Sequence, residues 1–344
     1  MKIGKKTILV GGISAGLLLL AAVWVGTACY NYAVREAVQQ EGFLYIPTDG
    51  TYAGLLDSLA AHDFLKNTNA FDRMARQKGL PDGLLAGRYE IKKGMTLRSL
   101  LGMLKGGLQK PLNVTFNTIR TMDRLAGVVA RYLEPDTLAL LAVLTDDAVA
   151  ARYGFKPETF IGMFIPNTYQ FFWNTSPTGF LDRMRKEYDA FWTDERQARC
   201  DALNLSREEV TTLASIVAEE TRMSDEMPRV AGVYLNRLRI GMLLQADPTV
   251  KYATGDFTLR RILFRHLEID SPYNTYKNKG LPPGPICMPS IRAVDAVLNA
   301  EKHDYIFFCA KEDFSGYHNF AATLAQHNAN ALRWSQALNR RGIK

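Results

Sequence analysis

An uncharged stretch of 23 residues, Thr7 to Cys29, lies near the start of the chain and constrains its organisation most strongly. A helix needs about 20 mainly apolar residues to cross the hydrocarbon core of a bilayer. A cleavable signal peptide has a shorter apolar segment of about 7 to 15 residues. The Cys29 region also lacks the large apolar residue that begins a lipoprotein processing site. The sequence therefore predicts an uncleaved transmembrane helix over residues 7–29.

The charges before this stretch predict its orientation. Lys2, Lys5 and Lys6 precede it, and the cytoplasmic side of a membrane helix carries an excess of Lys and Arg. We therefore expect residues 1–6 in the cytoplasm and a single-pass anchor in the inner (cytoplasmic) membrane. In a bacterium, the rest of the chain would then lie on the periplasmic or cell-wall side.

Composition narrows the class of protein. The hydrophobic content of 47% and charged content of 22% are ordinary for a globular chain that buries a core. The formal net charge of +7 falls to +4 once the three lysines before the anchor are subtracted. No basic stripe of the kind that binds DNA or RNA is visible, so we do not expect nucleic acid as a partner.

The sequence indicates neither a metal site nor a cofactor. Its four cysteines form no CxxC pair, its five histidines are scattered, and no HExxH motif is present. We expect the cysteines to be small buried hydrophobic residues. A pairing of Cys287 with Cys309 stays open, because the sequence does not show whether their Cα atoms approach.

A strand-turn-helix pattern recurs after a short polar segment, residues 30–42, which we interpret as a stalk. It occurs over residues 43–65 with a turn at Gly50, over 87–107 with a turn at Gly94, and more weakly over 112–133 with a turn at Asn117. Each copy predicts a short strand followed by an amphipathic helix.

The second copy, YEIKKGMTLRSLLGML, resembles the opening of the LysM module, which often reads Tyr-x-Val-x-x-Gly-x-Thr-Leu. The matching residues are Tyr89, Ile91, Gly94, Thr96 and Leu97. The resemblance implies a LysM-like domain over residues 43–133 and binding of N-acetylglucosamine polymers. The alternative is a generic strand-turn-helix unit without a ligand.

Two helices are well delimited in the second half of the chain. Ser206 and Glu209 form a capping box, which predicts a helix that begins at Arg207 and includes ASIVAEET. A second helix is expected from near Pro228 to Gly241, a favourable residue just after a helix end.

Two adjacent glutamates lie at the end of the first of these helices. At about 100° per residue, Glu219 falls opposite the apolar stripe and Glu220 falls beside Leu213 at its edge. We expect Glu219 to be a solvated surface residue. Glu220 would be partly desolvated, which raises the pKa of a carboxyl group and suits a general acid. The alternative for Glu220 is a buried salt bridge with Arg237.

Several motifs between residues 210 and 330 resemble the MltG (YceG-like) family of endolytic murein transglycosylases. They occur in the family's order: ASIVAEET, VAGVYLNRLRIGMLLQADPTVKY, SPYNTYKNKGLPPGPI and YHNFAATLAQHN. In the family's helix motif, often written Ile-Val-Glu-Lys-Glu-Thr, the catalytic acid is the glutamate before the threonine. This position is Glu220, followed by Thr221, while Ala218 departs from the common pattern.

The resemblance implies a bacterial wall enzyme that cuts glycan strands internally between N-acetylmuramic acid and N-acetylglucosamine. The product would carry a 1,6-anhydromuramyl end. A single carboxyl suffices for this reaction, because Glu220 can protonate the leaving oxygen and then accept the proton of the muramyl 6-hydroxyl. Most glycosidases need two carboxyls.

Further residues are candidates for substrate binding within these motifs. Asn236 lies one helix after Glu220, and Gln245 and Asp247 lie in a loop that follows that helix. A proline-rich loop, residues 271–285, combines rings and amides as glycan-binding grooves do. Its candidates are Tyr273, Asn274, Thr275 and Tyr276. We expect the residues that match near the end, namely His318, Phe320, Thr323, His327 and Asn328, to pack and to form hydrogen bonds.

Two alternatives to the lytic reaction remain. In one, the protein is a murein hydrolase in which Asp247 activates water while Glu220 acts as the acid. In the other, it is a non-catalytic, membrane-tethered scaffold that binds the wall. The expected partners are peptidoglycan glycan strands, the inner membrane and cell-wall synthesis proteins.

The predicted fold class is α+β. It combines an N-terminal transmembrane helix, the LysM-like strand-turn-helix domain, and a mostly helical catalytic domain over residues 134–344. A small sheet in the catalytic domain would include DYIFFCA, residues 304–310. No GxGxxG motif or repeated βα period points to a Rossmann fold or a TIM barrel.

Overall fold

The computed structural model describes residues 5–342. Its first element is α1 (Lys5–Ala33), in which the segment Gly16–Ala33 has no buried residue. Only the end of this segment meets the rest of the protein, where Tyr32 packs against a hydrophobic core. This segment is long and apolar enough to cross a membrane, by length and composition. The helix fits the anchor predicted over residues 7–29 and continues a few residues beyond it.

The chain folds as two compact units. The first contains the residues up to Asn113, together with Tyr132–Glu134 and Gln170–Thr175, and the second contains the rest. The expected α+β class is confirmed, because helices predominate and the strands within residues 5–342 form three small two-stranded sheets. The functional domains predicted at 43–133 and 134–344 stay a prediction.

A two-stranded antiparallel sheet and three helices form the body of the first unit. Strand β1 pairs with β2 from Gly42 opposite Ile91 to Ile46 opposite Gly87. Alternate side chains of both strands point into the core, where Leu44 and Tyr89 are fully buried. The elements are β1 (Gly42–Ile46), α2 (Tyr52–Ala61), α3 (Thr68–Gln77), β2 (Gly87–Ile91) and α4 (Leu97–Lys105).

All three predicted strand-turn-helix copies are confirmed. The third consists of β3 (Leu112–Phe116) and α5 (Met122–Val129). In each copy a threonine before the helix accepts a hydrogen bond from a backbone N–H of the first turn, which fixes where the helix begins. The three threonines are Thr51, Thr96 and Thr121. The resemblance of this region to LysM stays a prediction.

The segment predicted as a stalk, residues 30–42, is not a free stalk throughout, because part of it packs in the first unit. Glu36 forms an isolated β-bridge with Thr96, and Val38 forms one with Leu65. Val38 is 1% exposed and belongs to the core of that unit.

Helices make up most of the second unit, where strand β5 (Phe307–Ala310) pairs antiparallel with β6 (His318–Ala321). The expected strand within residues 304–310 is present as β5. The remaining elements of the chain are α6 (Thr137–Leu144), α7 (Asp147–Arg152), β4 (Asn167–Phe171), α8 (Pro177–Phe191), α9 (Asp194–Leu203), α10 (Arg207–Glu220), α11 (Met227–Arg239), α12 (Asp247–Thr254), α13 (Phe264–Leu267), α14 (Ile291–Leu298), β5 (Phe307–Ala310), β6 (His318–Ala321) and α15 (Leu324–Arg340).

Candidate active site

Helix α10 begins where the sequence predicts. The Ser206 Oγ accepts the N–H of Glu209 at 3.1 Å, and the Glu209 carboxylate accepts the N–H of Ser206 at 2.8 Å. The helix ends at Glu220, because Thr221 is extended, with φ −137° and ψ 143°. The next predicted helix is also confirmed as α11, and Gly241 follows its end with φ +68°.

Helix α10 is buried on every side rather than on one stripe. Eight consecutive residues, from Val210 to Val217, are buried. Three of them carry hydroxyls that the helix itself satisfies: Thr211 donates to the Arg207 carbonyl at 2.7 Å, Thr212 to the Glu208 carbonyl at 2.8 Å, and Ser215 to the Thr212 carbonyl at 2.7 Å. The central two turns of α10 therefore have no solvent-facing side.

The expectation that Glu219 is a solvated surface residue is wrong. Its carboxylate accepts a hydrogen bond from Arg120 Nη2 at 2.5 Å, and its side chain is 19% exposed. The partner is 99 residues away in sequence, so periodicity within α10 gives no signal of it. Glu219 is thus a paired carboxylate next to the candidate acid.

Glu220 is held differently, by an uncharged partner. The Tyr234 hydroxyl, from α11, donates a hydrogen bond to Glu220 Oε1. Burial raises the pKa of Glu220 from its usual 4.5 to about 7, although the hydrogen bond from Tyr234 lowers it. The charge of Asp247 raises this pKa further, and Arg237 opposes that effect. A substantial fraction of Glu220 is therefore protonated at neutral pH.

Arg237 does not form the salt bridge that was the alternative for Glu220. Its Nε donates to the Ile306 carbonyl at 2.6 Å and its Nη1 to the Leu244 carbonyl at 2.5 Å. Within residues 5–342, no ion pair joins it to Glu220. Burial also lowers the pKa of Arg237. Arg237 therefore adds positive charge near Glu220 without neutralising it.

Asp247 and Tyr276 lie close to Glu220. The Tyr276 hydroxyl donates to Asp247 Oδ1 at 2.6 Å, and Asp247 is the first residue of α12. Burial raises the pKa of Tyr276, as do the charges of Asp247 and Glu220. We call Glu220, Tyr234, Arg237, Asp247 and Tyr276 the carboxyl site.

Asn236, Asn274 and Thr275 have their polar atoms engaged by the protein. The Asn236 amide donates to the carbonyls of residues 303 and 305 at 2.7 and 3.0 Å. The Asn274 amide donates to those of residues 267 and 269, both at 2.8 Å. Thr275 Oγ1 accepts the N–H of residue 246 at 3.0 Å. These bonds fix the loops around the carboxyl site, and direct substrate contacts by the three residues stay a prediction.

Tyr273 and Gln245 lie on loops beside these residues. The Tyr273 ring lies 4.7 Å from the Tyr252 ring, centroid to centroid. Gln245 is exposed, with φ +48°, and its N–H donates to the Thr275 carbonyl at 3.1 Å. A non-glycine residue rarely adopts a positive φ, so this hydrogen bond helps to hold the loop that precedes Asp247.

A second buried carboxyl, Glu226, was not anticipated. It lies at the start of α11 and is 4% exposed. Its carboxylate accepts the His318 N–H at 2.8 Å, contacts His318 Nδ1 at 2.7 Å, and accepts the Thr221 hydroxyl at 3.2 Å. The expectation that His318 forms hydrogen bonds is therefore confirmed. His327 packs as expected, because its ring stacks on Phe307 at 5.1 Å. Its buried Nδ1, however, has no hydrogen-bond partner within the described residues.

Within the described part of the chain, no three His, Cys, Asp or Glu side chains are grouped so that they could hold a metal ion. The four cysteines are free, so Cys287 and Cys309 form no disulfide here. Cys200 and Cys287 are buried as expected, Cys309 is only half-buried, and Cys29 is exposed on α1, where the sequence predicts a membrane-embedded residue.

Comparisons with known proteins agree on one family. A model of the YceG-like family matches residues 44–333. The chain is 29% identical to the endolytic murein transglycosylase of Bacillus subtilis over 334 residues, with 91% of each chain covered. It is 29% identical to that of Streptococcus pneumoniae over 295 residues, which cover 77% of this chain and 53% of the pneumococcal protein. A crystal structure of a yceG-like protein from Listeria monocytogenes superposes with a TM-score of 0.57 and 27% identity, over 84% of this chain and 98% of that one.

Proposed function

Because this chain belongs to the YceG-like family, we propose that it is an endolytic murein transglycosylase that uses Glu220 as its acid and then as its base. Relatives that bear this enzyme name are similar to the chain over most of its length. The observation that carries the assignment to Glu220 is a carboxyl with a pKa of about 7, held by a neutral hydroxyl.

The environment of Glu220 suits general acid catalysis. An acid that works at neutral pH needs a pKa near 7, so that it is both protonated and able to release its proton. Tyr234 donates to Oε1, which leaves Oε2 for a substrate atom. Glu220 also keeps partial exposure to solvent, so a glycan can reach it.

The proposed reaction needs only this carboxyl. Glu220 donates its proton to the glycosidic oxygen while the bond from that oxygen to muramyl C1 breaks. The muramyl C6 oxygen forms a new bond to C1, and its proton passes to the Glu220 carboxylate. The products are a free 4-hydroxyl and a 1,6-anhydro ring, and the enzyme is again protonated. The attack is intramolecular, so it gains the advantage of a positioned nucleophile.

The polar groups around Glu220 define the proposed substrate contacts. Asp247 and Tyr276 form a hydrogen-bonded pair beside Glu220, and Gln245 is exposed two residues before Asp247. Carboxylates, phenols and amides recognise sugar hydroxyls and N-acetyl groups through hydrogen bonds. We assign these three side chains to the glycan strand, and Tyr273, Asn236, Asn274 and Thr275 to the same groove as predicted from sequence.

We also propose that α1 anchors the protein in the inner membrane with its N-terminus in the cytoplasm. Lys2, Lys5 and Lys6 support this orientation. The enzyme would then meet glycan strands where they leave the membrane, near cell-wall synthesis proteins.

Asp247 favours a second candidate function, hydrolysis. A carboxylate near the acid could activate water, as in glycosidases that use two carboxyls. Mass spectrometry of murein digested by the full chain in detergent separates the two reactions. Lytic cleavage leaves anhydromuramyl ends, whereas hydrolysis leaves reducing ends that retain one more water. Predominantly reducing ends would reject the lytic mechanism, and undiminished cleavage by Glu220→Gln would reject Glu220 as the acid. No cleavage by the parent chain would favour the scaffold.

A further inference from the structure

An exposed basic and aromatic segment lies between α12 and the 271–285 loop. Residues 257–267, FTLRRILFRHL, contain three arginines and no acidic residue. All three arginines are exposed. Between them, Phe264 is 90% exposed and Leu263 is 41% exposed. We call residues 260–265 the arginine–phenylalanine tip.

The tip is held in place at its base, and Phe264, at 90% exposure, takes almost no part in packing. The Leu263 N–H donates to His266 Nδ1 at 3.1 Å, and the His266 N–H donates to the Leu263 carbonyl at 2.8 Å. At the base of the segment, the Phe257 ring lies 6.1 Å from the Tyr252 ring and within 5.5 Å of the Arg120 guanidinium. The fold therefore presents Phe264 outward on a defined turn.

We propose that the arginine–phenylalanine tip contacts the anionic headgroup surface of the membrane that α1 crosses. Aromatic and aliphatic side chains flanked by arginines favour the interface of an anionic bilayer, where rings enter the headgroup region and guanidinium groups meet phosphates. A glycan strand fits the tip less well, because it is hydrophilic and has no apolar layer into which Phe264 could insert. This inference rests on the proposed membrane anchor.

The contact need not be strong, because the chain is already tethered. A few arginines near an anionic surface give only weak attachment to a protein that has no other membrane contact. A tether raises the effective concentration of the second contact and makes a weak interaction productive. The tip would therefore provide a second membrane contact in addition to the α1 anchor.

Hydrogen exchange of the full chain in vesicles tests this proposal. We expect the amides of residues 259–267 to exchange about threefold or more slowly in vesicles with roughly 30% phosphatidylglycerol than in pure phosphatidylcholine, because only the former attract the arginines. Phe264→Ser should abolish the protection. Leu332→Ser, at another exposed apolar residue (59%) on α15, should retain it.

Three results would overturn the proposal. Equal exchange in both vesicle types would reject the membrane contact. Protection of the tip by added murein glycan in phosphatidylcholine vesicles would assign it to the substrate instead. Release of the protein from vesicles by a carbonate wash would reject the anchor and, with it, this inference. Murein cleavage measured in detergent is independent of all three results.

A different observation supports a second inference, which concerns Tyr234, the residue that donates a hydrogen bond to Glu220. The geometry points to Tyr234 as a positioning residue that fixes which oxygen of Glu220 carries the proton. Tyr234 is 1% exposed, and its ring meets the Phe308 ring edge-on at 5.8 Å and 89°. Phe308 in turn meets His318 at 5.2 Å and 84°. The phenol therefore has little freedom, and its hydroxyl holds Oε1. The inference rests on Glu220 as the proposed acid.

Tyr234→Phe should shift the pH profile of kcat. The charged or titratable groups that influence Glu220 are Glu219 on its own helix, Arg237 and Tyr234 on α11, Asp247 on α12, and Tyr276 on the loop. The Tyr234 hydrogen bond lowers the pKa of Glu220. Its loss should move the alkaline decline of kcat upward by about half a pH unit or more.

Tyr169→Phe is the matched control, because Tyr169 is 6% exposed and its hydroxyl donates to the Ile165 carbonyl at 2.7 Å. It should leave the profile in place. A Tyr234→Phe profile that is lower at every pH but not displaced would reduce Tyr234 to a packing residue. If Glu220→Gln remains active, the proposed function fails independently of this result.

Discussion

The end of α10 holds a half-buried carboxyl, Glu220, and the start of α11 holds a buried one, Glu226. The two carboxyls are arranged for opposite purposes. Glu226 receives two hydrogen bonds from His318 and one from Thr221. Glu220 receives one from the neutral Tyr234 hydroxyl. Only five residues therefore separate a carboxyl with three hydrogen-bonding contacts from one whose proton is easily retained at neutral pH.

The comparison shows that burial alone does not make a carboxyl reactive. The two carboxyls differ in their partners, because His318 and Thr221 hold Glu226 through three contacts, whereas Glu220 has the single neutral Tyr234 hydroxyl. Glu226 therefore joins α11, β6 and the turn at Thr221 as a structural anchor. At Glu220, burial instead raises the pKa of the carboxyl group.

The largest expected effect is on kcat and tests Glu220, the proposed catalytic carboxyl of the two. Glu220→Gln should lower kcat by about 10³-fold, since a positioned general acid contributes about 10² to 10⁴ in rate. Release of muropeptides from purified murein, by the full chain in detergent, measures it. Glu195→Gln changes a 75% exposed glutamate and should keep parental activity. If kcat of Glu220→Gln falls by less than tenfold, the assignment of catalysis to Glu220 and of a structural role to Glu226 is contradicted.

The structural member should govern stability. Glu226→Ala should lower the free energy of unfolding by about 3 kcal/mol, because it leaves the His318 N–H, His318 Nδ1 and the Thr221 hydroxyl without their partner. Thermal unfolding of the full chain in detergent measures this loss. Removal of the paired surface carboxylate in Glu301→Ala, whose side chain is 41% exposed, should cost far less. Equal losses would show that Glu226 is not a structural anchor.

The raised pKa of Glu220 also predicts how stability depends on pH. The folded chain binds this proton more tightly than the unfolded chain between the usual pKa of 4.5 and about 7, so its stability falls as pH rises through that window. Glu220→Gln removes the effect. It should be about 3 kcal/mol more stable than the parent at pH 8 and no more stable at pH 4. Parallel stability curves for the two proteins would contradict the raised pKa.

The smallest effect concerns the neighbour, Glu219. Its ion pair with Arg120 is partly exposed, with side-chain exposures of 19% and 39%, and such pairs contribute about 1 kcal/mol or less. Glu219→Gln should therefore change the unfolding free energy by less than about 1 kcal/mol and kcat by less than tenfold. A loss of activity as large as that of Glu220→Gln would mean that the two glutamates share the reaction.

The elements that local signals define could be predicted from the sequence. Turn residues and capping threonines delimit the strand-turn-helix copies, and the capping box at Ser206 fixes the start of α10. Tertiary partners could not be predicted in this way. Thr211 and Thr212 look like a polar helix face, but their hydroxyls bond within the helix and both residues are buried.

The same limit applies to the candidate site. The family resemblance singles out Glu220 and places Asp247 and Tyr276 in nearby motifs, and the structure brings these three residues together. Tyr234 lies within the quoted VAGVYLNRLRIG motif, yet nothing in its spacing distinguishes a phenol that holds a carboxyl from a core ring. Pairs such as Arg120 with Glu219 link residues too far apart in sequence for periodicity to reveal.

The enclosure of α10 has a consequence for the direction from which a ligand can come. A helix without a free side can offer a residue only at its tip, so a polymer would have to pass across the end of α10 and not along its flank. That end is also the negative pole of the helix dipole, and no basic residue lies in its last turn. The backbone itself therefore resists a negative charge on Glu220, and returning a proton to this carboxyl relieves the repulsion.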